Sequence, residues 1–452
     1  MDQKYQTDLP IGIEKRELDA KVVLSRQEEV RVRKPIRNQA EMIVRDLDSL
    51  IDENHAVRAI WEFIGKLDLN EFYSTLQVSY DQPGRPASDP QVLLALWVYA
   101  TVEGIGSARQ LARLSENHDV YRWIRGGVPV DYHLLAEFRV SHQKEIDDLI
   151  TQIIAVLLKE QVIELKRVSQ DGMKVRASAG GSSFHRELTL KKCLEAAQEQ
   201  AQQVAQQREH PDPAVTRREQ AARDRAARER QERIKDALKQ LPKVQAIKER
   251  QKKKLSKAKA AKVKEARVST TDPEARTMKM ANGGFNPAYN IQYATDTQSQ
   301  VIVGIAVSNQ GNDQGQAQGM EAQVEQRTGQ KPQDYLIDGG FIDLEDIRAF
   351  EHDGIKVYAP ARENDGGKGL QGVAKSPEVM AWRERMITEE AKTIYKDRAA
   401  TSECVNALMR ARYGLLQFSV RGISKALSIT LLMVLTHNLL RWISLTGATE
   451  KG

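Results

Sequence analysis

The sequence predicts an α/β protein with three parts: an all-α N-terminal region, a mixed-sheet core, and a long basic helical insertion dividing that core. Three observations predict it. Apolar residues recur at helical spacing from Asp46 to about Glu160. The period then shortens to that of strands in Val162–Ala177 and again in Pro287–Ser308. Between them, Glu187 to about Arg267 is a Gln/Ala/Arg/Lys/Glu tract without strand character.

The chain has 452 residues, which favours two or three domains. A hydrophobic fraction of 40% is enough to bury real cores. The net charge of +6 favours an anionic partner. Cys193 and Cys404 are the two cysteines, too far apart to build a disulfide framework or a thiolate metal site, and they fit a reducing cytoplasm. The opening MDQKYQTDLPIG has no apolar h-region, so a secretory signal is not expected. Leu427–Leu445 is apolar and about long enough to span a bilayer, but Ser428, Thr430, His437, Asn438 and Arg441 interrupt it. It reads as a buried helix, and no membrane partner is expected.

Residues 1–45 are polar and aperiodic and read as a loose arm. In 46–160, Ile60, Phe63 and Ile64 share one side of a helix, and Ser88-Asp89-Pro90 opens another with a capping side chain and a first-turn proline. Its body, Val92 to Ala100, is apolar nearly all round. Two short helices follow, bearing Arg109, Arg113, Arg122 and Arg125. They fit a helix-turn-helix on DNA, and fit better an ordinary bundle with a solvated arginine face. Val162–Ala177 reads as strand, and Asp171-Gly172 within it carries the signal of a hairpin turn.

In the insertion, 187–268, Pro211 and Pro213 divide the tract into two long helices, read as an antiparallel hairpin. From Lys248 to Arg267 there are ten Lys/Arg and two Glu, a balance of 10 − 2 = +8. A solvated face mixes signs, so this run, with Lys252, Lys253 and Lys254 at its centre, reads as phosphate-backbone contact or, failing that, as a basic linker. In 269–452, Pro287–Asp296 and Gln300–Ser308 read as antiparallel neighbours. Helix Gln314–Arg327, strand Tyr335–Asp338, helix Leu344–Glu351 and strand Gly354–Pro360 add parallel members to the sheet. A helix from Ser376 to Tyr395, another from Thr401 to Arg412, and an apolar one from Ile423 to Ile443 complete the chain.

Three acids stand out. Asp171 lies in the first strand run, Asp338 ends a later one, and Glu403 lies in a helix after Tyr395-Lys-Asp-Arg398. They are 338 − 171 = 167 and 403 − 338 = 65 residues apart, so only the fold can gather them. Two strand aspartates and a helix glutamate suit two divalent cations, which phosphodiester chemistry uses about 3.5–4 Å apart. Asp296, Asp313, Asp343 and Glu345 compete; Asp313 reads as a helix cap and the last two as first-turn helix acids.

The order Asp171, Asp338, Glu403 resembles the DDE transposases of bacterial insertion sequences. The resemblance rests on Asp338-Gly-Gly-Phe341 after a strand and on Tyr395-Lys-Asp-Arg398-Ala-Ala-Thr-Ser-Glu403 with Arg410 beyond. Thr271-Asp-Pro-Glu-Ala-Arg276 and Asn282-Gly-Gly-Phe-Asn-Pro-Ala-Tyr-Asn290 also look like family segments. Two departures are the gap from Arg398 to Glu403, one residue longer than usual, and arginine at 410 where lysine is usual. The resemblance implies a ribonuclease-H-like core, split as 161–186 and 269–452, in which Asp171, Asp338 and Glu403 ligate two Mg²⁺, with Mn²⁺ able to substitute. It implies that Tyr395, Arg398 and Arg410 hold DNA phosphates. It also implies cutting at terminal inverted repeats, joining of the freed 3′-OH to target DNA, and a homodimer or larger assembly in the bacterial cytoplasm at the nucleoid. The alternative is a non-catalytic DNA-binding regulator derived from a transposase.

Overall fold

A computed structural model describes residues 37–38, 44–76, 86–209, 215–253, 256, 260, 265–361 and 373–447. The chain divides into Met1–Arg45 and Asp46–Gly452. Of the first unit only residues 37–38 and 44–45 are described, so the expected loose arm lies almost wholly outside the described residues.

The second unit begins with helices α1 (Ala56–Gly65), α2 (Asn70–Ser74), α3 (Pro90–Val102), α4 (Ala108–Asn117), α5 (Asp119–Arg125), α6 (Tyr132–Ser141) and α7 (Gln143–Lys159). Local chemistry fixes their starts. Asp89 accepts from the Gln91 N–H with Pro90 in the first turn, Ser107 accepts from Gln110, and Asp131 accepts from His133 and Leu134. Every α3 residue from Val92 to Thr101 is buried, as an all-round apolar helix requires. The α4–α5 connection is His118 alone. A helix-turn-helix uses a turn of about three to four residues, so this pair matches the bundle reading.

One sheet runs in the order β4-β5-β1-β7-β8, with β6 also on β5. Its strands are β1 (Arg167–Arg176), β4 (Arg276–Lys279), β5 (Phe285–Asp296), β6 (Ile302–Ser308), β7 (Asp334–Leu336) and β8 (Lys356–Tyr358). The β1–β5 and β5–β6 pairs are antiparallel; β1–β7 and β7–β8 are parallel. There is no hairpin at Asp171-Gly172: β1 passes straight through, with Asp171 opposite Tyr293 and Gly172 opposite Gln292. The glycine serves a close approach instead. A Cβ on Gly172 would fall 2.6 Å from Gln292 Nε2 and nearer still to Asp313 Oδ1.

The insertion stands on a two-stranded ladder of β2 (Phe184–His185) and β3 (Val268–Ser269). Its helices are α8 (Glu187–Glu209) and α9 (Arg217–Lys253). They run antiparallel: Leu190 packs with Leu241, Arg230 bonds Gln200, and Gln220 bonds the Val204 carbonyl. Pro211 and Pro213 lie outside the described residues, and α9 runs without interruption through Pro242.

After β6 come α10 (Ala317–Thr328), α11 (Leu344–His352), α12 (Pro377–Ile387), α13 (Glu389–Ala407) and α14 (Ile423–Gly447). The break between α12 and α13 falls at Thr388, whose hydroxyl accepts from the Ala391 N–H, rather than after Tyr395 as the pattern suggested. A π-helical turn, Leu408–Arg412, continues α13.

Helix α14 packs against α1, α3, α6 and α7 and also against β6. It is long and apolar enough to cross a membrane by composition, yet 72% of its apolar stretch is buried inside the protein. Its polar interruptions explain the choice. The Asn438 side chain accepts from Ile302 N–H at 2.9 Å and donates to Ile302 O at 2.8 Å, and Arg441 donates to Ser299 O. These groups satisfy the open edge of β6, which would otherwise offer unpaired backbone. The helices and sheet thus share one apolar core, reinforced where Arg327 of α10 pairs with Asp147 of α7.

Candidate active site

The site forms where β1, β7, the loop before α10 and helix α13 meet. Asp171 sits at the middle of β1, and Asp338 lies two residues beyond β7, the parallel neighbour of β1. Asp338 Oδ1 accepts from the Gly340 N–H at 2.7 Å, which turns the chain immediately after the strand. Burial pushes the Asp171 carboxyl up to about 6; the Gly172 N–H and Arg398 pull it down, and the charges of Asp338 and Asp313 push it up.

Helix α13 is fixed on β1 at several points. Ser402 and Ser169 hydroxyls meet at 3.0 Å in a buried contact, and Asp397 pairs with Arg167, which also pairs with Asp334 of β7. This rotation presents Asn406 and Arg398 to Asp171. Asn406 Nδ2 donates to Asp171 Oδ2 at 3.0 Å, and Arg398 Nη1 lies 3.9 Å from Asp171 Oδ1. Arg398 also stacks 5.7 Å from the Tyr395 ring centroid. Burial is the main cause raising the Tyr395 phenol, which Arg398 opposes.

Of the three expected carboxylates, the structure brings together Asp171 and Asp338. Glu403 lies one helical turn before Asn406 on the exposed side of α13, and its carboxylate has no partner among the described residues. The reason is helical phase: Ser402 and Val405 are buried, which turns the residue after Ser402 by about 100° toward solvent. Tyr395 and Arg398 join the site. Arg410, in the π-helical turn, lies within electrostatic reach of the buried Tyr293, the register partner of Asp171. Lys252 and Lys253 are exposed at the end of α9, and Lys254 lies outside the described residues.

Asp313 is the member that sequence reading assigned elsewhere. It does not cap α10, whose N-cap is Gln316 without a side-chain bond. Its Oδ1 accepts from Asn290 Nδ2 at 2.7 Å and from Gln292 Nε2 at 2.6 Å. The only signal for it is the glycine at 172, needed because this carboxylate crosses the strand there.

The donor set fits a hard divalent cation. It is oxygen-rich, and Asn406 Oδ1, whose amide nitrogen bonds Asp171, is buried without a hydrogen-bond partner among the described residues. Asp171 and Asp338 share the neighbourhood of the Arg398 guanidinium, and a bound cation would offset the second negative charge. The arrangement is open: among the described residues, no three His, Cys, Asp or Glu side chains converge on a single ion position.

Residues 45–141 match the family model described as Transposase domain (DUF772). The matched stretch covers α1 to α6 and stops short of the sheet. It supports a transposase family and a DNA-processing function for the chain. No curated protein and no solved structure matches.

Proposed function

We propose that the chain is a DDE transposase that cuts the ends of its own insertion sequence and joins them to target DNA. The observation that carries this reading is Asp171 on the central strand within electrostatic reach of Asp338 past the next strand, under a helix that offers Arg398. The strand order β6-β5-β1-β7-β8, three antiparallel members continued by two parallel ones, supports a ribonuclease-H-like core.

In this reading Asp171, Asp338 and Glu403 hold Mg²⁺. Two such ions, once bound, align the nucleophilic oxygen and stabilise the leaving 3′-oxygen. Arg398, already seated on Tyr395, takes a DNA phosphate in its planar fork, and Arg410 takes another. Asn406 keeps the Asp171 carboxylate oriented. Glu403, exposed on α13, supplies the third carboxylate from the rim. Lys252 and Lys253 at the basic end of α9, and Lys254 next in sequence, hold flanking backbone without regard to sequence. Pairing two DNA ends calls for a dimer or larger assembly.

The test uses purified full-length protein and DNA carrying the segments that flank its gene, with Mg²⁺ or Mn²⁺. Wild type should cut at inverted repeats, while Asp171→Asn and Glu403→Gln should bind the same DNA without cutting and melt as folded proteins. Cutting by either variant at the wild-type rate overturns the assignment. Binding without cleavage by wild type itself leaves the DNA-binding regulator.

A further inference from the structure

A cleft of about 760 Å³ lies between the insertion and the core. Arg233 and Lys243 line it from α9, and Arg421 and Lys425 line it from the shelf where α14 begins. The acids of the lining are already engaged. Asp272 Oδ1 accepts from the Tyr289 hydroxyl at 2.7 Å and from the Gly422 N–H at 3.3 Å, and Glu274 Oε2 accepts from the Ile423 N–H at 2.9 Å. Arg276 lies within electrostatic reach of both carboxylates. On α9, Asp236 pairs with Lys239 at 3.1 Å and Glu232 with Lys235 at 2.7 Å. Asp272 Oδ2 has no partner but is buried, so an occupant of the cleft does not touch it.

The cations are left over. Arg421, Lys243 and Lys425 make no hydrogen bond or ion pair among the described residues. Arg233 is scarcely better served: Glu229 lies 3.8 Å from its Nη1, beyond hydrogen-bond length, and its Nε is buried with no partner among the described residues. The two guanidiniums also oppose each other. Burial first, and then the charge of Arg421, pull the Arg233 pKa down. With Lys235 and Arg276 included, seven cations meet the five acids of the lining, a balance of 7 − 5 = +2.

We propose that this cleft seats the backbone of DNA, with Arg233 and Arg421 sharing one phosphate and Lys243 and Lys425 taking its neighbours. The proposal deepens the DNA-processing reading and rests on it. A phosphate suits two facing guanidiniums because each planar fork offers paired N–H donors to its oxygens, and its charge removes their repulsion. The surplus of positive charge exceeds that of one phosphodiester, which favours a polyanion, and the transposase-domain match makes DNA the polyanion at hand. One strand of DNA then ties the insertion to the core.

The probe is duplex DNA of random sequence, titrated with the full-length protein at several salt concentrations and read by fluorescence anisotropy. Melting curves first establish that the double variant Arg233→Gln/Arg421→Gln is folded. It should bind about eightfold more weakly than wild type at about 0.1 M salt, the value of one phosphate contact there, and its slope of log affinity against log salt should flatten by about 0.9. Unchanged affinity and slope, beside normal wild-type binding, overturn the cleft and leave the DNA-processing reading intact. No duplex binding by wild type overturns both. Equal weakening in Lys66→Gln/Lys331→Gln, which removes the same charge outside the cleft, overturns the cleft too. A measurement on wild type covers the case of a misfolded variant. Duplex should shield Arg421 from phenylglyoxal, read by peptide mass spectrometry, whereas inorganic phosphate at the same phosphate concentration should not. An Arg421 equally reactive with and without duplex, or shielded as well by inorganic phosphate, overturns the proposal.

Discussion

Asn406 Nδ2 and Asp171 Oδ2 lie 3.0 Å apart, joining α13 to the middle strand of the sheet. This contact orients the carboxylate but leaves it half-enclosed, with a side chain 22% exposed and two other aspartates nearby.

Asp171 therefore makes stability depend on pH in a definite direction. Its folded value, about 6, lies above the ordinary 3.8, chiefly through burial. A raised acid holds its proton more tightly in the native state, so the penalty is absent below 3.8 and complete above 6. Asp171→Asn never ionises. In metal-free protein its stability relative to wild type should rise between pH 4 and pH 7 by about 2–3 kcal/mol, lessened by partial exposure. Urea unfolding at the two pH values measures it; a constant difference contradicts the shift.

Gly172→Ala separates two accounts of that glycine. In an unhindered strand, alanine would stabilise by about 0.5–1 kcal/mol. Crowding against Asp313 Oδ1 and Gln292 Nε2 should instead destabilise by about 1–3 kcal/mol. Chemical denaturation reads the sign directly.

Asn438→Leu keeps the apolar character of α14 but removes both bonds to Ile302. Stability should drop by about 2–4 kcal/mol, the cost of two buried backbone groups left unpaired. A loss under 1 kcal/mol would mean that another group closes the edge of β6.

Replacing Lys252 and Lys253 together with alanine should weaken binding to unrelated duplexes equally. The slope of log affinity against log salt should flatten by about 1.8, close to 0.9 for each phosphate contact released. Binding to random DNA at several salt concentrations checks it; an unchanged slope places the phosphate contacts elsewhere.

The helices were legible because their starts are local. Asp89-Pro90 and Ser376-Pro377 specify caps within a few residues, and the structure uses both. The alternating runs of β1, β5 and β6 were legible for the same reason. The site was legible only in part. Asp171 and Asp338 stood out by ending or interrupting apolar strands, whereas Asp313 looked like a cap because only long-range folding turns it onto β5. Asp171-Gly172 carried a local turn signal that tertiary packing overrode. The phase of α13, which faces Asn406 rather than Glu403 toward Asp171, depends on contacts such as Ser402 with Ser169, 233 residues apart.

The place of α14 sets the order in which the protein can mature. It is the last of the described helices, yet it packs against both the earliest helices and β6. While the ribosome still holds residues 423–447, the helical layer lacks its inner wall and β6 has a bare flank. The contacts that α14 makes with both layers can form only once residues 423–447 are free, so a chain stalled before that point carries the acids of the site without them.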